Sequence, residues 1–482
     1  MCSIVGIQGK FFENDIIELL KTTKNRGPDS TGVFLDNELF LDIDLNEFSH
    51  NKEHHIGLGH NLLSAFDLDE KDETDQPLTS ESLVLVYNGE IYNFKTLKDD
   101  FKEEAESDSQ LLFKILERFY NEEKDLLKAV EKTIPLLDGD YSFAVYDHEN
   151  LAITRDTVGV KPLFYGKLSQ GNAFSSTKYS LKQLNVKNVE TLKPGEILYN
   201  WTPISPKTKI AEKHFKIDGD IKQQLEDKLK KAVQKRVQYL DEISVIFSGG
   251  VDSTILTILL KKISEKRKLK IKLYAVGGEN SKDIIASKKI AEELNLPLKI
   301  QTVTKEIVEE NLEDVVKLIG ENNLMKIGVG MTIYLACKMI HEDGGRVAIS
   351  GQGADELFGG YNRYLDSYKS RKLDEELRHD IENMYHVNLE RDDAVSMGNS
   401  VELRLPFLDK DLIEFALNIP VEEKIANDKD KIRKNVLRDL GNQLGLSKEF
   451  AYRPKKAAQY GTGIDKILRK KVLKEIDIEK FL

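Results

Sequence analysis

Two cysteines, Cys2 and Cys337, are all the thiols in 482 residues. So few do not make a disulfide framework, and a reducing cytoplasm is the expected setting. Long apolar runs are missing too. No stretch approaches the ~18 residues that a membrane span needs. The amino terminus, MCSIVGIQGKF, lacks the basic-then-apolar layout of a secretion signal and reads as a strand. Positive charge is short: 71 Lys and Arg face 82 Asp and Glu, a formal net charge of -11. That removes a global footprint for nucleic acid and leaves room only for a local basic patch. Neither nucleic acid nor a membrane is an expected partner. Internal repeats and low-complexity tracts are absent as well.

What remains is an ordinary globular balance, 40% hydrophobic and 32% charged. It is enough apolar material for more than one core, and the length suggests two to four domains. The first two hundred residues are strand-rich. SIVGIQG, GVFLD, ESLVLVYNGEIYN, DYSFAVYD, NLAITRD and GEILYNW are short β-type runs separated by Gly, Asn and Asp. Two helical stretches interrupt them, at residues 14–24 and 109–119. The turn-rich TPISPKT, at residues 202–208, places a domain boundary within 201–214. Beyond it strand and helix alternate. The spacing predicts helices over 220–239, 252–263 and 284–294, with strands over 243–247, 273–276, 298–303 and 346–350. That rhythm predicts a doubly wound parallel sheet, followed by a mainly helical final third.

Residue 2 is the first candidate for chemistry. Removal of the initiator methionine would give Cys2 both a thiol and a free α-amine. An amine with a pKa near ~8 can relay the thiol's proton at neutral pH. The second candidate is Ser248-Gly249-Gly250-Val251-Asp252-Ser253, where a buried strand turns into a helix. Glycines let backbone wrap an anion, and the first N–H groups of the helix have no intrahelical partners. Ser248 and Ser253 add hydroxyls, and Asp252 suits a Mg²⁺ ion beside phosphate. No Gly-Lys-Ser/Thr follows, so this is not a Walker loop. A second such turn, Ser350-Gly351-Gln352-Gly353-Ala354-Asp355-Glu356, follows the strand at 346–349. In a parallel sheet both turns open on one edge, where Asp252 and Asp355 could share Mg²⁺.

These motifs resemble those of a known family. SGGVDS is similar to the pyrophosphatase loop of enzymes that split ATP to AMP and pyrophosphate. With SGQGADELFGGY at 350–361 and VELRLPFLD at 401–409, the resemblance narrows to glutamine-hydrolysing asparagine synthetases, amide-forming ligases, nearly end to end. The amino-terminal segments agree independently. Arg26-Gly27-Pro28-Asp29, Asn88-Gly89-Glu90-Ile91-Tyr92-Asn93, Ser107-Asp108 and the run from Arg155-Asp156 to Leu163 resemble a class II glutamine amidotransferase domain.

The resemblance implies an αββα Ntn-hydrolase sandwich over 2–205 and an adenine nucleotide α-hydrolase-like ATP-pyrophosphatase domain over 214–482. Cys2 would attack the glutamine amide. Asn88 and Gly89 would hold the oxyanion, although Asn-Gly is also a common turn. Glu90 and Asp108 would bind the α-ammonium and amide, and Leu62, Leu63, Ser64, Ala65 and Phe66 would line the glutamine site. Ile246 and Val276, with Ser350 and Gly351, would contact ATP alongside residues 248–253. Lys455, in Arg453-Pro454-Lys455-Lys456, and Arg391 match family cations that meet the leaving phosphates. Aspartate, glutamine and ATP with Mg²⁺ would give asparagine, glutamate, AMP and pyrophosphate through β-aspartyl-AMP, with ammonia passed between the domains. The resemblance also admits a homodimer.

Three positions depart from the pattern. Leu62 stands where the family has an arginine for the glutamine carboxylate, and leucine cannot form that bidentate pair. Gln352 replaces an acid implicated in the acyl-transfer half, and an amide cannot serve as its base. Asn388 stands where some relatives have a carboxylate. His60 reads as a structural hydrogen-bonding residue. These departures keep alternatives in view. A different carboxylate could be amidated, or cyclised as in β-lactam synthetases, though Cys2 argues against cyclisation. Adenylation of tRNA fits the acidic charge poorly. A glutamine-binding regulatory protein with a degraded glutaminase site draws its support from Leu62.

Overall fold

The computed structural model describes residues 2–48, 51–64, 76–206, 209–279, 281–454, 461–474 and 476–481. It divides into two units, Met1–Lys209 and Ile210–Leu482.

Strands with two apolar faces organise the first unit. In Ser3–Phe12, Ile4 points one way while Val5 and Ile7 point the other; in Val84–Ile91, Val84 and Val86 oppose Leu85 and Tyr87. Successive side chains alternate across a sheet, so each such strand must be covered on both sides. The result is two antiparallel sheets face to face. One has seven strands, ordered Lys187–Thr191, Phe164–Leu168, Gly171–Ser175, Ser3–Phe12, Glu53–Leu62, Ser30–Leu35 and Glu38–Phe40. The other has six, ordered Thr202–Ile204, Ile197–Tyr199, Leu151–Arg155, Gly139–Tyr146, Val84–Ile91 and Leu78–Thr79. Ile4, Phe34, Leu58, Val84, Val86 and Phe174 fill the space between them.

Helices cover the outer faces, which completes an αββα sandwich. Glu13–Thr22 lays Ile16, Ile17, Leu19 and Leu20 on the seven-stranded sheet. Asp108–Glu123 lays Leu111, Leu112, Ile115 and Leu116 on the other. Three further helices, Phe94–Phe101, Leu126–Thr133 and Lys178–Gln183, correct the expectation of two. Each has eight residues or fewer, too short for a helical period to stand out. The interior strand Glu53–Leu62 was also not expected, since EHHIGLGHNL is poor in strand-formers. Its glycines serve packing: a Cβ at Gly57 would lie 2.7 Å from Ile16 Cδ1.

In the second unit the predicted rhythm becomes a five-stranded, all-parallel sheet. Its order is Leu298–Thr302, Lys270–Gly277, Glu242–Ile246, Val347–Ile349, Glu402–Arg404. Chain order therefore runs outward from Glu242–Ile246, jumps back beside it at Val347–Ile349, and runs outward the other way. Such a reversal opens a crevice at the carboxyl ends of the two adjacent strands. Glu402–Arg404 was not expected as a strand because two of its three residues are charged. Period-2 geometry puts both on one face, where Arg404 Nε donates to Glu402 Oε1 at 3.1 Å and the pair is buried. The final third is mainly helical and includes a π-helical turn, Tyr385–Leu389. Among the described residues no helix is long and apolar enough to cross a membrane.

Candidate functional site

Cys2 is buried at the head of the first strand, and its backbone N–H donates to Asn88 Oδ1 at 3.0 Å. Asn88 lies within the strand Val84–Ile91, opposite Ser142, so the Asn-Gly pair is not a turn here. The bond from Cys2 fixes the amide's orientation. Asn88 is fully buried, and its Nδ2 finds no partner among the described residues. A buried donor without a partner costs ~1–3 kcal/mol, which an oxyanion beside Cys2 would recover. The next residue must be glycine, because a Cβ on Gly89 would lie 2.5 Å from the Asp140 carbonyl oxygen.

Around this pair the other motifs have separate tasks. Asp108 Oδ2 accepts from Tyr87 Oη at 2.7 Å and from the Ile91 N–H at 2.9 Å. Burial, reinforced by Asp108, pushes the Tyr87 hydroxyl well above its ordinary pKa, so it stays a donor. Asp108 and Glu90 are both half-buried. Arg26 is buried, with Nε 3.4 Å from the Cys2 carbonyl oxygen. Asp29 ties down the end of Glu53–Leu62: its N–H donates to Leu62 O at 2.9 Å, and its Oδ2 accepts from Ser64 N at 2.8 Å. Leu62 is half-buried and Leu63 buried, while Ala65 and Phe66 lie outside the described residues. Asp156 closes its own loop, accepting from the N–H groups of Val158, Gly159, Val160 and Lys161. His60 is buried, and desolvation lowers its pKa to about 3. It is therefore neutral near pH 7.

In the second unit the two glycine turns meet at the crevice. The helix Val251–Ser264 starts at Gly250 with no side-chain cap. Gly249 holds a left-handed φ of 61°, and a Cβ there would lie 2.7 Å from Ser287 N. Gly351 of the other turn approaches so closely that its Cβ would sit 3.1 Å from that of Asp252. Ser248 Oγ lies 3.4 Å from Ser253 Oγ. Ile246 ends its strand, Val276 is buried near the end of the next, and Ser350 N donates to Arg404 O at 3.2 Å.

Asp252 and Asp355 converge on a residue the sequence did not single out. Lys434 Nζ lies 2.8 and 2.7 Å from the two carboxylate oxygens of Asp252, and 2.6 Å from Asp355 Oδ1. Lys434 is 1% exposed. Burial lowers its pKa, and Asp252 opposes the shift. The lysine is aimed by unusual backbone, since Arg433 and Lys434 both hold left-handed φ, 55° and 57°. Non-glycine residues pay ~1 kcal/mol or more for that conformation. Asp430 supports it by accepting from the N–H groups of Ile432 and Arg433 at 2.8 and 3.0 Å. A Cβ on Gly360 would lie 1.7 Å from Asp355 Oδ1, so only glycine leaves the acid its place. Arg453 Nη2 donates to Gly249 O at 3.1 Å, and Lys455 lies outside the described residues.

A polar core lies behind the second turn. Gln352 Nε2 donates to Asp392 Oδ2 at 2.5 Å. Arg391, expected beside phosphate, places Nε 2.7 Å and Nη2 2.6 Å from Asp392 Oδ1. Glu356 Oε1 accepts from Tyr361 Oη at 2.6 Å and from Asn388 Nδ2 at 2.8 Å. Burial raises the Glu356 pKa against the pull of Tyr361. Lys434, Asp392, Glu356 and Tyr361 were all missed. Lys434 sits in the lysine-rich run DKDKIRK, where nothing marks one cation as buried.

Comparison with known proteins agrees across both units. Residues 1–211 match the glutamine amidotransferase domain family, and residues 224–377 and 366–479 match the asparagine synthase family. A Methanocaldococcus jannaschii chain whose name places it among glutamine-hydrolysing asparagine synthetases is 37% identical over 98% of this chain and 95% of its own. The glutamine-hydrolysing asparagine synthetase of Rattus norvegicus is 28% identical over 79% of this chain and 72% of its own. Among solved structures, a glutamine phosphoribosylpyrophosphate amidotransferase from B. subtilis gives a TM-score of 0.37 at 16% identity, over 62% of this chain and 65% of that one.

Proposed function

The chain belongs to the glutamine-hydrolysing asparagine synthetases, and on that premise we propose that it converts aspartate, glutamine and ATP into asparagine, glutamate, AMP and pyrophosphate. The carrying observation is the convergence of Asp252 and Asp355, one from each glycine turn, on buried Lys434. Two carboxylates from neighbouring strand ends are hard oxygen donors that fit Mg²⁺, leaving phosphate and water to complete its shell. Bound there, Mg²⁺ would neutralise charge on the phosphate oxygens. Lys434 then has a second role, as a compact cation for pyrophosphate leaving from ATP. The N–H groups that open Val251–Ser264, with Ser248 and Ser253, cradle the same phosphates.

Adenylation makes the aspartate β-carboxylate an electrophile, with AMP as its leaving group. The nitrogen comes from the first unit. The Cys2 thiol, its amine freed by loss of the initiator methionine, attacks the glutamine amide. Asn88 Nδ2 and the Gly89 N–H receive the oxyanion, and Glu90 and Asp108 hold the amino-acid end. Ammonia released within the protein stays unprotonated and concentrated, which free ammonia in neutral water does not.

The test is asparagine formation with glutamine and, separately, with an ammonium salt, for wild type and Cys2→Ala. The variant should lose the glutamine-driven reaction and keep the other. Loss of both would contradict a separable glutaminase half. AMP release only with an acid other than aspartate would overturn the assigned acceptor.

A further inference from the structure

We infer that Asp392 is a positioning residue for amide formation, holding Gln352 so that its side-chain oxygen receives the incoming ammonia. The inference rests on the asparagine-forming reading above. Gln352 follows Gly351, whose backbone packs against Asp252 of the nucleotide turn, so it stands beside the place where acyl-adenylate would form. A glutamine amide has a donor end and an acceptor end, whereas an ionised carboxylate only accepts. Asp392 Oδ2, 2.5 Å from Nε2, therefore decides which way the amide faces. The acceptor end, Oε1, is turned away from Asp392 and accepts no hydrogen bond among the described residues.

Asp392 is itself held. Arg391 reaches its Oδ1 with both Nε and Nη2, and the two residues are 6% and 1% exposed. Burial raises the Asp392 pKa, with neighbouring Asp393 adding to the shift, and the Arg391 pairing and the Gln352 hydrogen bond oppose it in favour of the charged form. The local backbone is built for it. The π-turn Tyr385–Leu389 leads directly into Glu390–Met397, which carries Arg391 and Asp392, and its own Asn388 reaches Glu356. Single π-turns inside helices are uncommon and gather at functional sites.

The chemistry follows from polarity. The nitrogen lone pair attacks the acyl carbon and the C–N bond forms. The C–O bond to AMP breaks, and AMP leaves with the electron pair. The surplus proton on nitrogen goes to water. Nitrogen turns cationic as the bond forms, so an N–H pointed at Gln352 Oε1 strengthens in the transition state. The charge of Asp392 behind the amide strengthens it further. Gln352 takes no proton in this scheme. It orients the nucleophile and offsets its developing charge.

The experiment uses the full chain and two readouts: aspartate-dependent exchange of labelled pyrophosphate into ATP, and asparagine formation from ammonium salt. Asp392→Asn should lower the second about 100-fold, the scale of a misplaced reacting group, and leave the first within about threefold. The swapped pair Q352E/D392N returns a carboxylate facing an amide, and should recover at least about tenfold over D392N. Equal loss of both activities, or no recovery in the swap, overturns the inference. Should D392N fail to fold, Gln352→Leu keeps the Arg391–Asp392 pair and should show the same selective loss; amide formation at the wild-type rate would overturn it. A wild type without aspartate-dependent exchange overturns the parent reading and this inference together.

Discussion

Lys434→Met tests the geometry on which nucleotide chemistry depends. The substitution keeps the stem and removes the charge. In its place two carboxylates, 18% and 17% exposed, would face each other without the ammonium that now bridges them. Removing one partner of a buried ion pair costs ~3–5 kcal/mol, and the partial exposure of the acids puts this case near ~3 kcal/mol. For a unit of this size each kcal/mol moves Tm by ~2–4 °C, so calorimetry should show a fall of about 6–12 °C in the transition of the second unit. Added Mg²⁺ should restore more Tm to the variant than to wild type, because it replaces the missing positive charge. Pyrophosphate exchange should fall at least about 100-fold, the scale for losing a positioned cation at a developing charge. The double variant D252N/K434M removes the repulsion, so part of the Tm should return while exchange does not. Unchanged Tm with normal exchange would show the three-way contact to be incidental. A Tm loss that the double variant leaves in place would mean that packing, not charge, had been disturbed.

Asn88→Ala removes the unpartnered donor beside Cys2 and should lower glutamine-driven turnover about 10²–10³-fold while ammonia-driven turnover holds; an equal fall in both would place Asn88 in the fold rather than the oxyanion site. Lys424 is fully buried, and burial lowers its pKa to about 7. Above its unfolded pKa, near ~10.4, both states are neutral and the residue has no effect. As pH falls from there toward 7 the unfolded state gains the proton first, so stability declines, and below 7 the full penalty remains. Lys424→Met should therefore raise stability at pH 7 and flatten its rise between pH 7 and 10. A urea-midpoint series against pH that runs parallel to wild type would refute this.

The fold was legible where one pattern had one meaning. Ile243–Phe247 is short, apolar except for Ser244, and followed by Ser248 and two glycines, the pattern of a buried strand entering a turn. The alternation beyond it fixed a parallel sheet. Patterns with two meanings hid the rest. EHHIGLGHNL looks like a loop until Ile16 and Leu20 are seen to need its glycines' missing side chains. VELRL looks exposed until Glu402 and Arg404 are found paired on one buried face.

The site was legible in its turns and opaque in what lies behind them. Glycine at 249 and 353 answers a local demand on the backbone, a left-handed φ, and local demands leave a local signature. Lys434 answers a demand made some 180 and 80 residues away, by Asp252 and Asp355. Its own neighbourhood is a solvated charge run like many others, and only the strained turn at 433–434 singles it out. Asp392 shows the same limit from the other side. Read alone, Gln352 looked like the loss of an acid. In space an acid, Asp392, stands one hydrogen bond behind it on a different element, forty residues on, where nothing in the turn's own sequence could announce it.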